Sequence, residues 1–193
     1  LAYFSNTQLS PPLLLIVRRD KLAMLPLDAA GEVELARLLA DTRLRGALVD
    51  GRSYGPFVEQ LLGKQPAQKT VTLYAASDYG SKILPMLGMD RADYTIEQDI
   101  ALSVLRQRHP QLDELRSLPI RGASELLQIG VACPRNAWGL ATIREIDKRL
   151  GTPTGVAMLR DSFERWITPE VRQHYGTRID AFYKERAKPS VIR

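Results

Sequence analysis

Between residues 46 and 110 the chain repeats one pattern three times: a short apolar run of strand character, a turn, then a stretch with helical spacing. The first run is Ala47-Leu48-Val49-Asp50, followed by a glycine-bearing turn and a helix opened by Pro56. Proline suits that place because the first helical turn has no partner for its missing N–H. The second is Val71-Thr72-Leu73-Tyr74-Ala75, with Ser77 as the N-cap of a short helix towards 87 that Pro85 shortens or bends. The third is a strand over 93–96 and a helix over about 98–108, closed by Pro110. Strands alternating with helices predict an α/β layer with mostly parallel pairing, because parallel neighbours need a crossover and a helix supplies it.

The flanks differ. Residues 1–20 read as extended, with Pro11-Pro12 stopping any helix and a β-compatible run over 13–17. A helix is predicted over 32–40, where Leu35, Leu38 and Leu39 form one stripe. After Pro119 another extended run spans 126–133. Asn136 then caps a helix lined by Leu140, Ile143, Ile146 and Leu150 and ended by Gly151. Further helices fit 156–167 and 177–187, and between them Thr168-Pro169-Glu170 has the order of an N-cap, first-turn proline and acid.

Composition excludes several classes. With 45% apolar and 25% charged residues in 193, the chain has the material for a packed core. Its longest apolar run, 13–17, is far short of the ~20 residues that cross a bilayer, so no stable membrane insertion is expected. One cysteine, Cys133, and two histidines, His109 and His174, provide no disulfide framework and little for a metal site. The net charge of +5 permits an anionic partner, but the basic residues are dispersed and lack interleaved aromatics, so no nucleic-acid partner is expected. Residue 1 is leucine, so a further segment is expected ahead of it; no signal-peptide pattern stands at 1–10.

Two places carry candidate chemistry. In Gly51-Arg52-Ser53-Tyr54-Gly55 a strand ends and a helix begins, so free backbone N–H groups and the positive dipole end face the turn. Such a turn holds a carboxylate or phosphate, aided by Ser53 and Arg52; the alternative is an ordinary strand-to-helix turn, and spacing alone leaves both open. Glu97 stands at the carboxyl end of the third strand, where ligands of open α/β sheets lie. It serves there either as acceptor for a ligand amine or cation, or as an acid at the next helix's N-terminus. Ser77 follows the second strand and faces the same edge. No nucleophile elbow, zinc-protease motif or Cys–His arrangement occurs, so no catalytic residues, cofactor or metal are expected.

The order of these features resembles periplasmic solute-binding proteins of the amino-acid-binding type, bacterial extracellular solute-binding family 3. The likeness runs through Phe4-Ser5 and the proline-containing stretch into 14–19, Gly51-Arg52-Ser53-Tyr54-Gly55, Met86-Leu87, Arg91-Ala92-Asp93-Tyr94 leading to Glu97, the strand near 127–132 and the helix carrying Ile146-Asp147. The wording is closest to an uncharacterised proteobacterial branch. The resemblance implies a type II periplasmic-binding-protein fold, two α/β lobes joined by a two-strand hinge. Residues 22–122 would form one complete lobe, and residues 1–21 and 123–193 the remainder of the first. The family's initial βαβ segment, which usually carries the arginine gripping a ligand carboxylate, is not in this sequence. Part of the tail helices' apolar stripes is therefore expected to be exposed unless more chain or another copy covers it.

The resemblance also implies a function. A non-enzymatic protein in the periplasm would close by hinge bending around a small polar solute, an amino acid or organic acid, and deliver it to an ABC-type permease. Its ligand contacts would be Arg52, Ser53, Tyr54, Gly55, Ser77 and Glu97. Two alternatives use the same fold: a ligand-sensing domain of a regulator or membrane receptor, and a lyase with Glu97 as its base.

Overall fold

The structure, a computed structural model, describes residues 2–64, 70–75, 82–123, 125–188 and 192. The chain divides into two compact units: Pro12–Glu125, and Leu1–Pro11 with Leu126–Arg193.

The unit Pro12–Glu125 is built on a five-stranded sheet. Strands β2 (Leu13–Arg18), β3 (Gly46–Val49), β4 (Val71–Tyr74), β5 (Tyr94–Gln98) and β6 (Leu115–Pro119) run in the order β4-β3-β5-β2-β6. The three strands of the repeated pattern pair in parallel, β3 with β4 and with β5, as their helical crossovers require. Strand β2 is antiparallel to both its neighbours, β5 and β6. The sequence places residues 13–21 with the other lobe and predicts no strand over 115–119. Strand β2 instead lies inside this sheet, held by a ladder on each edge, and β6 forms its far neighbour.

Alternation along each strand divides the core between two faces. Leu15 and Val17 of β2, Leu48 of β3 and Ile96 of β5 pack with Leu35, Leu38 and Leu39 of α1 (Leu35–Ala40) and Val58 of α2 (Pro56–Gly63). On the other face Ile16, Ala47 and Val49 meet Ile83, Leu84 and Leu87 of α3 (Ile83–Gly88) and Leu102 of α4 (Asp99–Arg106). Gly46 is required by close approach: a Cβ there would stand 2.7 Å from the Tyr94 ring. Gly46→Ala is therefore expected to destabilise the protein by roughly 1–3 kcal/mol in urea unfolding.

Asp93, 1% exposed, ties β5 to the start of β3. It accepts from the Arg45 backbone N–H at 2.8 Å and from the guanidinium at 3.0 Å on each oxygen. Burial alone would raise its pKa, but the Arg45 side-chain and backbone hydrogen bonds outweigh that and hold the carboxyl below its ordinary range. A carboxylate depressed in the fold stabilises above its unfolded pKa, and that contribution fades as pH falls through the folded value. Asp93→Asn should lower stability by roughly 2 kcal/mol at pH 7. It should also remove part of the acid sensitivity that sets in below about pH 4. Urea denaturation at a series of pH values reads both.

The other unit pairs β1 (Ala2–Ser10) antiparallel with β7 (Leu127–Pro134), with Ala2 opposite Pro134, Ser10 opposite Leu127 and a bulge between Asn6 and Gln8. Three helices complete it: α5 (Ala137–Leu150), α6 (Pro153–Glu164) and α7 (Pro169–Arg186). Asn136 caps α5 through Gly139 N–H at 2.7 Å, as its position predicts. Helix α7 starts at the Thr168-Pro169 cap, well before residue 177, and buries Val171, Tyr175, Ile179 and Tyr183 along one stripe. Asp147 accepts from Ser5 Oγ at 2.7 Å and pairs with Arg186 at 3.1 Å, linking β1, α5 and α7 in the interior. The exposed apolar side chains of this unit lie chiefly on the strands and at the start of α5: Phe4, Leu127, Ile129 and Trp138, with Met158 on α6.

Candidate functional site

Within Pro12–Glu125 the register decides which chain ends meet. Gly46 lies opposite Tyr94 in the parallel β3–β5 pair, so both strands run their carboxyl ends to one edge of the sheet. Strand β2 begins there, Leu14 standing opposite Glu97 on one side and Pro119 on the other. The turn after β3, the end of β5 and both covalent connections to the rest of the chain thus share a single edge.

The turn is shaped by two glycines with left-handed backbone, Gly51 at φ 70° and Gly55 at φ 82°. Between them the chain folds back until the buried Tyr54 hydroxyl accepts the Val49 N–H at 2.8 Å. Burial raises the Tyr54 pKa, against the opposing effect of that backbone bond, so the phenol stays protonated. Arg52 stacks its guanidinium over the Tyr54 ring, 5.5 Å from the centroid, and reaches across to β5. Its NH2 group donates to Glu97 Oε1 at 2.7 Å, and its NH1 group donates to Oε2. Glu97 Oε1 also accepts its neighbour's Gln98 N–H at 2.7 Å. The two side chains are 13% and 5% exposed.

Ser53 has a different partner. Its hydroxyl donates to Glu59 Oε1 at 2.7 Å, and the same oxygen accepts the Tyr54 N–H at 3.0 Å. The Ser53 hydroxyl bond, reinforced by the backbone, holds the exposed Glu59 carboxyl below its ordinary pKa. The donors read from the sequence as an anion cradle are therefore engaged by a carboxylate of the first turn of α2. Sequence reasoning did not identify Glu59; its signal was an acid in the first turn of a helix following a serine-bearing loop.

Arg52, Ser53, Tyr54, Gly55 and Glu97 are thus gathered at one edge, with Arg52 and Glu97 in direct contact. Ser77 lies outside the described residues. Asp93 pairs with Arg45. Among the described residues no group of three or more His, Cys, Asp and Glu side chains is arranged to hold a metal ion, and no helix is long and apolar enough to cross a membrane.

Comparison with known proteins identifies the fold. No family model and no curated protein matches the sequence. Among solved structures, the substrate-binding protein of an amino acid ABC transporter superposes at TM-score 0.54 and 17% identity, over 86% of this chain and 63% of that one. An ancestral arginine-binding protein bound to arginine gives 0.56 at 13% identity, over 86% and 65%. A structure described for glutathione import through GshT and the cystine ABC importer TcyBC of Streptococcus mutans gives 0.57 at 15%, over 86% and 62%. The architecture is the type II periplasmic binding fold, as the resemblance in the sequence implied, and the chain spans less than two thirds of each of these relatives. At such identities the likeness defines the fold alone.

The Arg52–Glu97 pair makes a stability prediction of its own. Removing one member strands a buried charge, whereas replacing both with apolar residues does not. Arg52→Met is expected to cost roughly 3 kcal/mol, and adding Glu97→Met to it should restore part of that loss. A double variant no more stable than the single one in urea unfolding contradicts this account of the pair.

Proposed function

We propose that this protein binds a small polar solute, an amino acid or an organic acid, without transforming it, in the periplasm, and passes it to an ABC-type permease. The observation that carries the reading is the single sheet edge where the glycine-flanked turn, the Arg52–Glu97 pair and both chain connections of Pro12–Glu125 meet. Ligands of open α/β sheets bind beyond the carboxyl ends of the strands, and this edge gathers charged and hydroxylic groups on a rigid frame. The fold shared with substrate-binding proteins of amino acid transporters supports the same reading. Binding is favoured over bond-making because Glu97, the group of this set suited to act as a base, has both oxygens occupied.

Arg52, Ser53, Tyr54 and Gly55 would contact the solute from the turn and Glu97 from the end of β5; Ser77, outside the described residues, is proposed as a contact from the sequence alone. The test is thermal unfolding and calorimetric titration of the full-length protein against a broad set of amino acids and organic acids. A true solute present at 100 times its Kd should stabilise by about 2.7 kcal/mol. Gly55→Val puts a β-branched side chain on a backbone at φ 82°, which L side chains rarely adopt, so the turn must relax away from its present shape. Affinity for that solute should then fall roughly tenfold, about 1.4 kcal/mol. If no member of the set stabilises the protein, solute binding is not its role.

A further inference from the structure

On the solute-binding reading, the groups at the end of β5 say which class of solute the site selects. Glu97 has two carboxylate oxygens, and this chain fills both from within. Oε1 accepts from Arg52 NH2 and from the Gln98 N–H, each at 2.7 Å, and Oε2 accepts from Arg52 NH1. A planar guanidinium matched to a carboxylate on two bonds is a better partner than an ammonium, which presents a point charge. The Tyr54 ring restrains Arg52 from the other direction. Three of the carboxylate's roughly four acceptor sites are thus taken and its side chain is 5% exposed, so a ligand ammonium must compete with a cation that is already stacked, doubly bonded and largely removed from water. The guanidinium itself carries donors alone, so any ligand group that meets it must be an acceptor.

We propose that Arg52 is the specificity-determining residue of this site: it takes the place at Glu97 that a ligand's cationic group would occupy, so the solute is an organic acid without an amino group. Arg52 and Glu97 then select together, the arginine closing the carboxylate to the ammonium group of an amino acid. The observations behind this are the two bonds, the burial of both side chains and the stacked ring.

The experiment uses pairs of acids that differ by an amino group: succinate and aspartate, glutarate and glutamate, propionate and alanine. Each is titrated against the full-length protein by calorimetry. The wild-type protein should bind the favoured pair's member lacking the amino group at least roughly tenfold more tightly, as expected where a cationic group finds no partner. Arg52→Met should narrow or invert that ratio by admitting the amino acid, and the double variant Arg52→Met/Glu97→Gln should lose the gain. If Arg52→Met does not fold, the wild-type ratios decide. Wild-type protein that binds the amino acid as well or better, or an unchanged ratio in Arg52→Met, overturns the assignment while leaving solute binding intact. Failure of every pair and of the broader set removes the solute-binding reading, and this inference with it.

Discussion

Strand β2 is the element on which the architecture of Pro12–Glu125 depends. Its six residues are laddered on both sides, to β5 and to β6, and it supplies Leu15 and Val17 to one face of the core and Ile16 to the other. The parallel strands β3, β4 and β5 are brought together by their own helical crossovers. The far strand β6 joins them only through β2. An antiparallel strand in that position also reverses the usual placement of chain ends, bringing the start of the unit to the edge where the parallel strands finish. That is why a turn after β3, an acid on β5 and the connections to the remaining chain occupy common ground.

At that edge the charges of the turn, β5 and α2 form two sets. One is buried and rigid, Arg52 against Glu97 with Tyr54 behind it; the other is exposed, Glu59 receiving Ser53 and the Tyr54 N–H. The difference in solvent exposure sets the difference in strength. Buried charges are expensive to separate once paired, whereas an exposed carboxylate on a flexible side chain exchanges its partners for water at little cost. This edge thus has a rigid part and, at its rim, a replaceable one.

Much of this organisation could be read from sequence, for identifiable reasons. The strand–helix repeats, the Asn136 and Thr168 caps and the glycine turn are local signals; the caps and the turn stand at their expected residues, whereas the second repeat's helix begins at Ile83, with Lys82 and not Ser77 at its N-cap position. Long-range pairing carries no comparable mark. The run Leu13-Leu14-Leu15-Ile16-Val17 reads as a strand, yet nothing local says that it inserts between β5 and β6. Strand β6, with Arg116, Ser117 and Pro119 in five residues, lacks an apolar alternation strong enough to declare itself. The site behaved likewise: Arg52 and Glu97 each stood out by position, while their mutual contact depends on a register that only the folded sheet sets. Glu59 was hidden because an acid in a first helical turn has an ordinary explanation.

The pairing of Leu14 with Pro119 has a consequence for the other unit, whose two segments are separated by the whole of Pro12–Glu125. While the five-stranded sheet is intact, the inbound and outbound chains are delivered side by side, and β1 finds β7 across a short gap. Once that sheet melts, the same ribbon must close a loop on the order of 100 residues, an entropic penalty of about 4 kcal/mol. A two-stranded ribbon has little reserve against such a penalty. The helical unit is in this sense a dependent fold, its cohesion borrowed from the insertion that interrupts it.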